Sequence, residues 1–300
     1  MDLLDYQKAV SKTDYLGQKE GAGVMVPLLG LASEVGELQG EYKKAIRDGD
    51  ATNLYRARFA EELGDVLWYL ADLATKLGFD LNDVAEGNLE KAKDRWGRRI
   101  GLNDVRPAFD EGYPENERLP RRLEILIKTG VGPNGKPIGR AHVEGRPLGD
   151  HLTDNAYISD GYRYHDTFHF AFAAVLGWSP ITRWLLNRKR KSRPDVDEVE
   201  DGARAKAAEE AISLFVFSHA KEYNWHEGNA SVSSEMLRSV RWMANGLEAS
   251  QCTSGEWENA IVQGFAAWRF IQKHQGGLLT LDRDRRTLSA SLPVAEMAQS

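Results

Sequence analysis

The chain has 300 residues, 42% hydrophobic and 28% charged, which is the composition of a soluble globular protein with room for about two domains. Its net charge of −6 gives no general attraction to nucleic acid or to anionic membranes, and its single cysteine, Cys252, excludes an intrachain disulfide. The opening Met1-Asp2-Leu3-Leu4-Asp5 has no basic n-region or apolar h-region, and the longest apolar run, near residues 170–178, is too short to span a bilayer. A cytoplasmic protein without membrane contact is expected.

The first hundred residues carry helical periods throughout. A short helix is expected over residues 3–16, then a glycine-containing loop over 17–23. A second helix covers 27–47, with Pro27 in its first turn and Asp48-Gly49-Asp50 as its stop. A third covers 54–77 and ends at Gly78. Asp80 or Asn82 can cap the next, which reaches Trp96.

The second and third helices each carry two carboxylates three residues apart, Glu34 with Glu37 and Glu62 with Asp65. Residues at that spacing share a helix face. Leu28, Leu31, Val35, Leu38 and Tyr42 form an apolar stripe with Glu34 and Glu37 along one edge. Leu63, Val66, Leu67, Leu70 and Leu77 form the matching stripe beside Glu62 and Asp65. Two helices packed by these stripes bring four carboxylates to the rim of one core. Four anions there repel one another unless a cation joins them, and an all-oxygen donor set suits Mg²⁺ or Mn²⁺ better than Zn²⁺.

Several phrases carry a family resemblance: Asp5-Tyr6-Gln7, Gly30-Leu31-Ala32-Ser33-Glu34-Val35-Gly36-Glu37, Glu61-Glu62-Leu63-Gly64-Asp65-Val66-Leu67-Trp68-Tyr69, and the stretch from Asn88 to Trp96. In these, residues 1 to about 100 resemble the MazG-type all-α nucleoside triphosphate pyrophosphohydrolases. The resemblance implies hydrolysis of an NTP or dNTP to the monophosphate and pyrophosphate, in house-cleaning or regulation of nucleotide pools. It also implies an oligomer. A three-helix set makes only a small core, so a homodimer or tetramer is expected on physical grounds as well.

On the helix after Gly78, Asn88, Lys91 and Arg95 fall on one stripe, opposite a packing side of Leu81, Ala85, Leu89, Ala92 and Trp96. A metal-bound triphosphate keeps excess negative charge, so a lysine and an arginine aimed at it make chemical sense. In the resembled family, residues at these positions help bind the nucleotide. Tyr69 and Trp68 are candidate walls of a base pocket, although core packing is the more frequent use of such aromatics.

Prolines and charges over residues 104–120 read as a linker between a domain of residues 1–103 and one of residues 121–300. Leu123-Glu124-Ile125-Leu126-Ile127 reads as a strand and Pro133-Asn134-Gly135 as a turn, giving a small β-hairpin. Gly130 to Lys136 imitates a P-loop, but Pro137 stands where the metal-binding hydroxyl belongs and no helix follows. The rest reads as helices over 157–176, 180–188, 203–223, 233–247 and 255–274. The run Arg188-Lys189-Arg190-Lys191 reads as a solvated loop rather than a nucleic-acid contact. The phrases Tyr164-His165-Asp166 through Trp178-Ser179-Pro180 and Val199-Glu200-Asp201-Gly202-Ala203-Arg204 resemble the C-terminal domain that accompanies some MazG-type proteins, a resemblance that implies no activity.

One cluster in this half has two readings. His165, Asp166 and His169 open an apolar helix, and Glu209 lies on a later one with His219 on the same side. Buried histidines bonded to carboxylates as core struts are the commoner arrangement. The same residue types on facing helices also bind transition metals, and the His165-Asp166 pair is similar to the HD phosphohydrolases.

The expected protein is all-α: a MazG-type helical bundle, then a mainly helical domain with a small β-hairpin. Glu34, Glu37, Glu62 and Asp65 hold Mg²⁺ and do the chemistry. Two alternatives differ in class. One is an inert nucleotide-sensing module. The other is a metal phosphohydrolase centred on His165, Asp166, His169 and Glu209.

Overall fold

The computed structural model describes residues 1–14, 23–48, 53–97 and 106–293. They form two compact units, Met1–Lys93 and Asp94–Ser300. Among the described residues, no helix is long and apolar enough to cross a membrane.

The first unit is built from α1 (Leu3–Thr13), α2 (Met25–Asp48), α3 (Asn53–Leu77) and most of α4 (Leu81–Trp96). Asp2 caps α1 by accepting the Asp5 N–H at 2.7 Å. Gln7, buried on α1, ties the unit together. Its side-chain amide donates to Thr75 Oγ1 at 3.1 Å and to the Phe79 carbonyl at 2.8 Å, and its oxygen accepts from Leu81 N at 3.0 Å. One side chain thereby satisfies the end of α3 and the start of α4. Lys76 of α3 adds an ion pair to Asp14 at 2.6 Å. α2 approaches α3 closely at Gly30, where a Cβ would sit 2.2 Å from Cε1 of Tyr69, so only glycine admits the ring.

The apolar core of this unit is small: Val10, Ala71, Ala74 and Leu81. The stripes expected to pack α2 on α3 are only partly covered. Leu28, Tyr42, Leu63 and Leu77 all remain about half exposed. The side of α4 read as its packing face is buried only at Leu81, with Leu89 and Trp96 exposed.

The second unit departs from the expected fold class. It contains a five-stranded antiparallel sheet in the order β3-β2-β1-β4-β5, not a small hairpin. The strands are β1 (Arg122–Val131), β2 (Pro137–Val143), β3 (Arg146–Leu152), β4 (Gly276–Asp282) and β5 (Thr287–Ser291). The expected hairpin is β1 with β2, and its Pro133-Asn134-Gly135 turn places Gly135 at φ +76. The P-loop look-alike is therefore hairpin, not phosphate loop. The central strand β1 then takes β4 as its other neighbour, with Ile125 opposite Leu279. That partner lies about 150 residues away in the chain, out of reach of local patterning.

The helices of this unit are α5 (Asp166–Val175), α6 (Pro180–Leu185), α7 (Pro194–Val199), α8 (Ala203–Ala220), α9 (Ser234–Met243) and α10 (Ser254–His274). α5 is buried from Thr167 through Val175 and lies against α10. Gly264 of α10 permits this, since a Cβ there would meet Phe168 Cδ1 at 2.7 Å. Thr253 and Glu256 form a reciprocal cap at the start of α10.

Two charged stretches, one read as a linker and one as a solvated loop, each send particular side chains into the core. Residues 106–120 are not a free linker in this fold: Asp110 and Leu119 are buried. Asp110 accepts from Arg183 Nη2, Arg283 Nη2 and Leu119 N, each at 2.8 Å. In the basic run, Arg190 is 1% exposed and pairs with Asp201 at 2.9 Å and Glu248 at 2.8 Å. A basic run followed by an acidic one looks solvated in sequence, but here the two runs neutralise each other in the interior.

Burial opposes ionisation of Asp110, but Arg283, Arg183 and the Leu119 N–H overcome it and hold the carboxyl below its ordinary 3.8. A depressed carboxylate contributes stability above its unfolded value and loses it as pH falls through the folded value. Asp110→Asn leaves two buried guanidiniums facing an amide and is expected to cost about 3–5 kcal/mol at pH 7. Chemical denaturation across pH 7 to 2.5 checks this. The difference from the parent should shrink below about pH 3.8; a variant as stable as the parent at pH 7 contradicts the pairing.

Candidate active site

α2 and α3 bring three of the four expected carboxylates together. One oxygen each from Glu34, Glu62 and Asp65 lie within 4.8 Å of one another. The i,i+3 spacing on α3 puts Glu62 and Asp65 on one face, and α2 supplies Glu34 across from them. Glu37 stands outside this trio on the exposed side of α2, yet near enough to be felt by it.

Electrostatics match that geometry. Partial burial raises the Glu34 carboxyl above its ordinary value, and then Glu37 and Asp65 raise it further. Glu62 is raised in the same way, first by desolvation and then by Glu37, Glu34, Asp65 and Glu61. The Tyr6 phenol is raised too, by burial and by the charge of Asp65. Tyr6 of α1 therefore borders the acidic group, a position that sequence gave only as part of an opening phrase. The charges that raise Glu34 and Glu62, after desolvation, are those of other carboxylates. Hard oxygen donors that repel one another fit a divalent cation, and Mg²⁺ or Mn²⁺ suits them.

The other expected site residues are distributed differently. Asn88 and Lys91 are exposed on α4. Arg95 belongs to the second unit and is engaged there, bonding Glu258 Oε1 at 2.8 Å and the Val232 carbonyl. Trp68 donates its indole N–H to Thr13 Oγ1 at 2.9 Å and packs against the core of the first unit. Tyr69 lies over Gly30 and meets Trp68 edge-on, at 5.1 Å between ring centres. Both aromatics thus have packing roles.

In the second unit, His165, Asp166 and His169 also converge, with ligand atoms within 4.8 Å of one another. Glu209 stands behind them rather than among them. It accepts from His169 Nδ1 at 3.0 Å, Ser179 Oγ at 2.6 Å and Ile181 N at 2.9 Å. Burial pulls the His169 imidazole down, but Glu209, with Glu210 and Asp166, brings it up to about 10. His165, with burial dominant, stays below its ordinary value. His219 lies elsewhere, stacked on Tyr223 at 4.9 Å.

A chain with paired acidic residues on two long helices, ahead of a separate α+β unit, defines a class that comparison with known proteins makes specific. The chain belongs to the MazG family: residues 27–99 match the MazG nucleotide pyrophosphohydrolase domain and residues 104–293 match the MazG C-terminal domain. The first match takes in Glu34, Glu37, Glu62 and Asp65; the second takes in the whole sheet and the histidine cluster. A stretch of 80 residues is 39% identical to the Gene 37 protein of Mycobacterium phage L5, covering 26% of this chain and 70% of that protein. No solved structure matches the chain.

The mutual repulsion yields a stability test. A carboxyl whose folded value is raised makes the folded state more stable as pH falls through that value, and less stable above it. At neutral pH without divalent cations, Glu62→Gln removes one repelling charge and is expected to melt higher than the parent. The gain should fade as pH approaches the ordinary carboxylate range near 4.5, where the parent becomes protonated. Thermal melts in chelator at pH 7 and pH 4.5 measure this. A lower melting point at pH 7 would mean that Glu62 has favourable partners.

Proposed function

We propose that the first unit hydrolyses a nucleoside triphosphate, ribo or deoxy, to the monophosphate and pyrophosphate with Mg²⁺, or Mn²⁺ in its place. The supporting observation is the convergence of Glu34, Glu62 and Asp65 from two helices within 4.8 Å. The MazG nucleotide pyrophosphohydrolase domain that spans them gives the reaction class. Glu34, Glu62 and Asp65 hold the ion, which supplies neutralisation of phosphate charge and a more acidic attacking water. Glu37, beside the trio, is the carboxylate placed to orient that water and take its proton. Water oxygen adds to the α-phosphorus, the α–β anhydride bond breaks, and pyrophosphate leaves with the bonding pair. Lys91 and Asn88 meet the phosphate oxygens from α4. Arg95 is left out of this reading because Glu258 already engages it. House-cleaning or regulation of nucleotide pools is the role that fits.

We also propose that the first unit works as a homo-oligomer, a dimer or tetramer. Four buried apolar residues among those described are a small core for helices of this length, and Leu28, Leu29, Leu63, Leu77 and Leu89 present exposed apolar surface. A second copy of the same helices is the natural cover for such faces.

A panel of NTPs and dNTPs with Mg²⁺, with products separated, tests the activity. Monophosphate and pyrophosphate in equal amounts are expected. Release of orthophosphate alone contradicts the reading, and binding without turnover makes the unit a sensor. Glu62→Gln is expected to lower turnover by about a hundredfold or more, as loss of one strong electrostatic element does. Glu61→Gln should cost far less, since Glu61 lies outside the trio; equal losses would remove Glu62 from its assigned place.

A further inference from the structure

The histidine cluster of the second unit contains a carboxylate not yet used. Glu210 of α8 follows Glu209, but successive residues on a helix point about 100° apart. Glu209 faces inward, to Ser179 and Ile181. Glu210 faces the histidines, with Oε2 lying 3.6 Å from His165 Nε2 and 3.6 Å from His169 Nε2. Asp166 Oδ1 lies 3.8 Å from His165 Nε2. His165, Asp166 and His169 offer ligand atoms within 4.8 Å of one another, and Glu210 reaches both imidazoles from α8.

The outer hydrogen bonds fix which nitrogens face it. His165 Nδ1 lies 2.9 Å from the Tyr162 carbonyl, and His169 Nδ1 lies 3.0 Å from Glu209. Both partners can only accept, so both Nδ1 atoms donate and both Nε2 atoms point inward. His169 is fully buried, and its Nε2 has no hydrogen-bond partner. A carboxylate or carbonyl behind each ligating histidine is the usual second layer of a metal site. The Tyr162 ring stacks on His165 at 4.3 Å and holds it in place.

With no metal bound, the carboxylates around His169 hold a proton on it, and an ion at Nε2 would take the place of that proton. Glu210 stands equally far from both rings. Donors about 3.4 Å apart are what a tetrahedral ion with bonds near 2.1 Å requires, and the separations of 3.6, 3.6 and 3.8 Å lie a few tenths of an ångström above that.

We infer that His165, Asp166, His169 and Glu210 bind a transition-metal ion of the Zn²⁺ class, with Glu209 as a positioning residue for His169. Mixed nitrogen and oxygen donors select such an ion over the Mg²⁺ suited to the all-oxygen trio of the first unit. The side chain of Glu210 is 48% exposed, which gives the ion its entry from solvent.

The test uses the full chain carrying Glu34→Gln and Glu62→Gln, which removes the acidic trio as a competing site. The protein is stripped with chelator, loaded with Zn²⁺ or Co²⁺ and dialysed. Elemental analysis and the visible absorption of Co²⁺ are then read. About one ion per chain is expected, retained in excess Mg²⁺, with a Co²⁺ spectrum typical of low coordination. His165→Ala and Glu210→Gln should each weaken binding about tenfold or more, and Glu209→Gln about 10–100-fold with a shifted spectrum. Circular dichroism checks the fold of each variant. If His165→Ala does not fold, Glu210→Gln decides alone, because its side chain is half in solvent. No retained metal, or retention unchanged in folded Glu210→Gln, overturns the site and leaves the cluster as a strut.

Discussion

Carboxylates crowded into a few ångströms cannot all stay ionised unless something positive joins them, and the protein meets this constraint in three ways. In the interior of the second unit the counter-charge is covalently part of the chain. Asp110 has Arg183 and Arg283, and Arg190 has Asp201 and Glu248. Glu209 is satisfied by N–H and O–H donors together with His169. Glu34 and Glu62, by contrast, are raised by desolvation and by other carboxylates. That contrast separates carboxylates neutralised within the chain from carboxylates that repel one another.

The same contrast orders the two units. The second has a large core around α5 and α10, and its ion pairs fasten loops to that core. The first has a smaller core among the described residues, and Gln7 and Lys76 tie its helices together. The cation and the oligomer proposed above would each brace these helices against the repulsion of the trio.

Much of the first unit was legible from the sequence, because its signals are local. Helix ends fell within a few residues of those observed, from Pro27 near the start of α2 to Gly78 after α3. The i,i+3 spacing of Glu62 and Asp65, with Glu34 on the neighbouring helix, was enough to bring them together. What escaped was non-local. β4 and β5 follow the long helix α10, and their partner β1 lies at the other end of the unit. The central place of β1 cannot be read from either segment alone. Arg190 escaped because a basic run gives no sign of which member turns inward. Glu210 escaped because nothing local to α8 shows that it turns toward histidines on another helix.

Direct observation of a cation at the acidic trio tests the central claim most cleanly. Electron paramagnetic resonance of Mn²⁺ titrated into the full-length chain reads bound against free ion without relying on turnover. The parent is expected to deplete the free Mn²⁺ signal, with Mg²⁺ restoring it by competition. A folded variant with Glu34→Gln, Glu62→Gln and Asp65→Asn together should lose that Mg²⁺-sensitive binding. Equal, Mg²⁺-sensitive depletion by parent and variant would contradict the assignment of the ion to these three side chains.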